Sequence, residues 1–81
     1  MPRMATRAEH DRLRDVHRCE YECHREALAV AAMELDRVTC AYYCAQNVRD
    51  KRSIGIAMED ATRTYERMRV ACAAARAAMH R

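Results

Sequence analysis

The sequence predicts an all-α chain, an antiparallel helical hairpin with one long N-terminal helix and a shorter C-terminal helix, stapled by disulfides. Three observations predict it. Pro2 and Gly55 are the only Pro and Gly among 81 residues, and sixteen Ala favour helix. Apolar residues recur at helical spacing, and no segment alternates as a strand does. Four of the five cysteines form two Cys-x3-Cys pairs, Cys19/Cys23 and Cys40/Cys44, sixteen residues apart. Thiols four positions apart share one helix face.

Taken in order, a first helix is expected over about 5–50, because no strong breaker stands between Met4 and Lys51. The turn is expected over about 51–56, where Ser53-Ile54-Gly55 is the one clear interruption, with Asp50 and Ser53 offering turn chemistry. A second helix follows over about 57–80, capped by Ser53 or Asp60. All of it forms one domain, 1–81.

The first helix carries two apolar stripes. One is Tyr21, Leu28, Leu35 and Tyr42, with Ala31, Val38 and Ala45 beside it. The other is Val16, Cys19, Cys23, Val30, Met33, Cys40 and Cys44, interrupted by Glu26 and Arg37. At about 100° per residue the stripes lie on nearly opposite sides, so this helix is expected between two neighbours. The second helix has one seam, Met58, Ala61, Tyr65, Met68, Cys72, Ala75 and Met79, expected to pack on the first.

With the turn centred near Gly55 or Ile56, Cys72 falls opposite about Cys40, and a centre near residue 58 would set it opposite Cys44. A bond there would close a loop of about 30 residues and stabilise the fold by about 3 kcal/mol. The alternative pairing joins Cys23 to Cys40 and Cys19 to Cys44. It requires a turn near residues 31–32, where the sequence favours helix. Metal is a further option: Cys19, Cys23, Cys40 and Cys44 could hold Cu(I), a thiolate-seeking ion. His10, His17 and His24 recur every seven residues, about 10 Å apart along the axis, and read as surface histidines.

The twin Cys-x3-Cys motifs resemble those of the small Tim chaperones of the mitochondrial intermembrane space. That resemblance implies two antiparallel helices joined by the inner and outer cysteine pairs. Val16-His17-Arg18-Cys19, Cys23-His24, Glu34-Leu35 and Cys40-x3-Cys44 also resemble mitochondrial helical proteins of the family-with-sequence-similarity 136 type. There the later motif pairs with a downstream Cys-x3-Cys. Here the matching positions are Cys72 and Arg76, and His10 and Arg14 stand upstream of the first motif. Both resemblances imply a mitochondrial protein, the first of them one of the intermembrane space, which is the expected location, and they carry over no catalytic role.

Three Leu, five Val, two Ile and no Phe or Trp make a small core, so a staple or a partner is expected. Fifteen basic and twelve acidic residues are interspersed, which argues against a nucleic-acid face. No apolar run approaches the roughly 20 residues that span a bilayer. No phosphate loop, triad or carboxylate pair suggests an enzyme, and no cofactor or small-molecule ligand is implied. Folded back from residue 56, the second helix would reach only about residue 30 of the first. Residues 5–30 are therefore expected to dock on another chain, which leaves Val16, Cys19, Tyr21, Cys23 and Leu28 without a partner in their own chain; along the first helix as a whole the expected partner-binding residues are Val16, Tyr21, Leu28, Leu35 and Tyr42. The expected role is a structural accessory subunit of a larger complex, of the respiratory chain, the ATP synthase or similar. A Tim-like chaperone and a Cu(I)-binding protein are the alternatives.

Overall fold

The computed structural model describes residues 6–80, and among them every regular element is helical. Helix α1 runs Arg7–Cys44 and helix α2 runs Val48–Met79, 38 and 32 residues long. They pack along their length as a rod of 68 × 20 × 13 Å.

Side-chain caps begin both helices. Thr6 Oγ1 accepts the Glu9 amide at 3.2 Å, in the Thr-x-x-Glu spacing of a capping box. Asn47 Oδ1 accepts the Asp50 amide at 2.8 Å, and Asn47 Nδ2 donates to Asp50 Oδ2 at 2.8 Å. At the end of α1 the Ala45 amide donates to the carbonyls of Ala41 and Tyr42, while Ala45 itself is extended. The connection is thus Ala45-Gln46-Asn47, not residues 51–56.

Gly55 lies inside α2, without a positive φ. One glycine in a helix costs about 1 kcal/mol relative to Ala. Moving the turn to 45–47 lengthens α2 enough to reach Leu13, which lines one groove with Ala78 and Met79. Half-covering Tyr21 and Leu28 outweighs the glycine, since full burial of such a side chain stabilises by about 1.5–3 kcal/mol.

The α2 seam behaves as expected. Met58, Ala61, Tyr65, Met68, Cys72, Ala75 and Met79 are all buried or half-buried. On α1 the covered stripe is Tyr21, Leu28, Ala31, Leu35, Val38, Tyr42 and Ala45. The core is thin: among the described residues Ala31, Val38, Ala61 and Cys72 are the buried hydrophobics, and none of their side chains is fully enclosed. The Tyr42 ring closes the turn end, with the Lys51 ammonium 5.7 Å from its centroid and the Tyr43 ring edge-on at 5.4 Å. Outside, Asp15–Arg18, Glu34–Arg37, Asp60–Arg63 and Glu66–Arg69 form ion pairs three residues apart. Such exposed pairs support each helix locally and add little to the fold.

Two substitutions test this turn. A Cβ at Gly55 would lie 3.5 Å from the Tyr42 ring, an ordinary contact. Gly55→Ala is therefore expected to stabilise the hairpin by about 0.5–1 kcal/mol in urea titration. Asn47→Ala should cost about 1 kcal/mol through the lost cap. Destabilisation by Gly55→Ala would return the turn to residues 51–56.

Candidate functional site

Helix α1 is two-sided. Positions 16, 19, 23, 26, 30, 33, 37, 40 and 44 form a second heptad seam, and α2 covers none of it. Val16 is 49% exposed, Val30 62% and Met33 65%. Cys19, Cys23, Cys40 and Cys44 are exposed on the same line. Seven of the nine positions are apolar or thiol, and Glu26 and Arg37 are the charged exceptions. From Val16 to Cys44 the seam is about 42 Å long.

Which stripe packs inside is the main correction to the expected sites. Tyr21, Leu28, Leu35 and Tyr42 were expected to bind a partner chain, and all four are half-buried on the α2 side. Of the expected partner-binding residues, Val16 alone lies on the outer face. The reason is the turn: an α2 of 32 residues reaches far beyond residue 30, and it covers the Tyr/Leu stripe.

The turn also moves the cysteines. Cys72 is buried and lines a groove with Tyr21 and Leu28, near the open end of the hairpin. Cys40 and Cys44 lie beside the turn, about 30 Å or more away along the rod. No two sulfurs are bonded, so the expected Cys72–Cys40 or Cys72–Cys44 staple does not form. Helix α1 is also continuous through residues 31–32. Within one chain Cys23 and Cys40 are then about 25 Å apart, out of reach of a bond. The same separation prevents Cys19, Cys23, Cys40 and Cys44 of one chain from converging on a metal. Among the described residues no three His, Cys, Asp or Glu side chains gather in a metal-binding group.

Electrostatics mark two seam positions. Arg37 donates to Glu34 from Nε at 3.0 Å and from Nη2 at 2.6 Å. That hydrogen bond holds the Glu34 carboxyl below its usual range and raises the Arg37 guanidinium. The pair occupies only part of Arg37's five-donor fork. Glu26 has no ion-pair partner among the described residues, and its helix neighbours at 22, 23, 29 and 30 supply no base.

His10 is exposed as expected, but His17 and His24 are half-buried at the edge of the hairpin interface. His17 Nδ1 is enclosed without a hydrogen bond, and Glu20 Oε2 stands 3.8 Å away. The remaining concavities are grooves along the helix surfaces, one of them lined by Val16, Cys19 and Cys23. No helix among the described residues is long and apolar enough to cross a membrane. Compared with family models, curated proteins and solved structures, the chain matches none.

Thiol chemistry reads this geometry directly. In dilute solution under reducing conditions, a maleimide is expected to modify Cys19, Cys23, Cys40 and Cys44 rapidly. Cys72 should react at least about tenfold more slowly until the hairpin is unfolded. Rapid modification of Cys72 in the folded chain would contradict the packing of α2 described above.

Proposed function

We propose that this chain is a structural subunit whose task is to present the outer face of α1 to another protein surface. The observation that carries this reading is the continuous, uncovered seam from Val16 to Cys44 on a helix already packed on its other side. Monomeric proteins rarely expose a contiguous apolar strip of this length unless it binds something. The accessible surface is 6962 Å², against about 5,000 Å² for a compact monomer of 9.4 kDa. A radius of gyration of 19.2 Å, where about 12 Å is usual for this length, describes the same open rod.

The compartment assigned to it is the mitochondrial intermembrane space, and the assembly one of the membrane complexes that border it. That assignment rests on the twin Cys-x3-Cys spacing and the resemblance it carries.

Val30→Asp combined with Met33→Asp tests the docking face. Both side chains already face water, so the purified double variant should keep its helical circular dichroism and unfold within about 1 kcal/mol of the parent. Under native electrophoresis of mitochondria that express it, the parent should migrate in an assembly and the variant as a free hairpin. A parent chain that stays a lone hairpin both in the organelle and at high concentration in vitro would overturn the reading.

A further inference from the structure

The outer seam of α1 is complementary to itself when reversed, and we infer that its occupant is a second copy of this chain, packed antiparallel, α1 against α1. This inference rests on the outer face being a docking face. It adds the partner and the register.

In an antiparallel coiled coil the two kinds of core position, a and d, face each other across the seam. Here one set is Val16, Cys23, Val30, Arg37 and Cys44, and the other is Cys19, Glu26, Met33 and Cys40. Reversing one copy about the middle of the seam places Cys19 opposite Cys44, Cys23 opposite Cys40, Glu26 opposite Arg37 and Val30 opposite Met33. All four pairs fall in one register, since the two position numbers of each pair sum to 63. The two-fold axis repeats every pair, as a closed isologous dimer requires. The only two charges in the seam thus neutralise each other twice. Glu26, which has no ion-pair partner among the described residues, gains Arg37 of the second copy. Arg37 keeps free donors beside its bond to Glu34.

The flanks agree with the same register. Glu20 falls opposite Ala41, Ala27 opposite Glu34, Glu22 opposite Tyr43, and Ala29 opposite Asp36. No flanking carboxylate directly opposes another, and the alanines allow close approach.

Other arrangements are worse. A parallel, in-register pair would set Glu26 against Glu26 and Arg37 against Arg37. Sliding the antiparallel pair by one heptad either way sets Glu26 against Val30 or Cys44, and Arg37 against Cys19 or Met33. Either slip places a charge against an apolar or thiol group, without an opposite charge facing it. Helix α2 lies on the other side of α1, so it leaves the seam open to the second copy.

The register also brings each exposed thiol pair onto a thiol pair of the second copy. Helix axes about 8–10 Å apart, with a Cα radius of about 2.3 Å, leave facing Cα atoms roughly 3.5–5.5 Å apart. That is within reach of a disulfide. Oxidised glutathione can then trap the dimer. A thiolate of Cys23 attacks the glutathione disulfide and releases one reduced glutathione. The Cys40 thiolate of the second copy displaces the other. Two protein thiols lose two electrons and two protons, and one glutathione disulfide becomes two thiols.

The experiment uses the full chain in its natural and nitrogen-15-labelled forms, mixed under reducing conditions and then exposed to oxidised glutathione. Non-reducing peptide mapping should find Cys23–Cys40 and Cys19–Cys44 links that join light to heavy peptides. Links confined to one isotope would mean bonds within a chain and would overturn the inference. In parallel, sedimentation equilibrium of the reduced chain should show a dimer. Glu26→Arg and Arg37→Glu should each weaken it by more than about 100-fold, since each sets like charges together twice. Mixing these two variants, or combining both changes in one chain, should restore dimerisation. A parallel dimer would give the opposite pattern, with Glu26→Arg pairing best with the parent chain. A monomer at all concentrations that still joins an assembly in mitochondria would refute the self-docking while leaving the docking face in place.

Discussion

Everything about this molecule depends on where the chain turns: the Asn47–Asp50 hydrogen bonds mark the place, and burial of the Tyr/Leu stripe against α2 favours it. Asn47 satisfies an amide at the start of α2 that no helical carbonyl can reach, and Asp50 answers it from the first turn. With the turn at 45–47, facing residues of the two helices number about 92 together. That register brings buried Ala31 level with buried Ala61, and Cys72 level with Tyr21. A turn some eight residues later would move every one of these layers by about sixteen residues, more than four helical turns.

The register in turn divides α1 into two faces with different fates. The Tyr/Leu stripe has bulk enough to pack against the Met, Ala and Tyr seam of α2. The Val, Met and Cys stripe remains outside, straight and regular, with one acid and one base set symmetrically about its middle. A strict seven-residue repeat on that side is more than solvent exposure requires. Random surface positions need no such periodicity, whereas a helix partner does. The position of the two charges then favours a reversed partner over a parallel one. The same geometry gives the cysteines a role that a single chain denies them, because thiols at opposite ends of one rigid helix meet only across two copies.

Much of this was legible in the sequence. Helix content followed from the scarcity of breakers, and the α2 seam and both α1 stripes were visible as spacing alone. What failed was the ranking of turn signals. Ser53-Ile54-Gly55 looked like an interruption because glycine weakens a helix, but that cost is only about 1 kcal/mol and contacts with the opposing helix exceed it. The true signal was Asn47 followed three residues later by Asp50. Like Thr6 at the start of α1, Asn47 accepts the amide three residues on, and its side chain also bonds the Asp50 carboxylate. A turn centred near Gly55 or Ile56 would set Cys72 against about Cys40 and leave Tyr21 and Leu28 uncovered, whereas the turn at 45–47 sets Cys72 beside Tyr21 and Leu28. Nothing in the spacing of the two stripes says which one α2 covers. Volume decides it, with tyrosines and leucines on one side and cysteines and valines on the other.

The central claim, that the hairpin turns at Asn47 and so leaves one face of α1 uncovered, can be measured as a distance. Spin labels at Arg12 and His80, introduced at exposed sites as unnatural side chains and diluted with unlabelled chain, report it by pulsed dipolar spectroscopy. The structure places these positions level at the open end, so a separation below about 25 Å is expected for adjacent helices with flexible label arms. A turn at residues 51–56 would draw position 80 back to the level of Ala27, an axial offset of about 22 Å, and the distance would lengthen by about 15 Å. That longer distance would contradict the account.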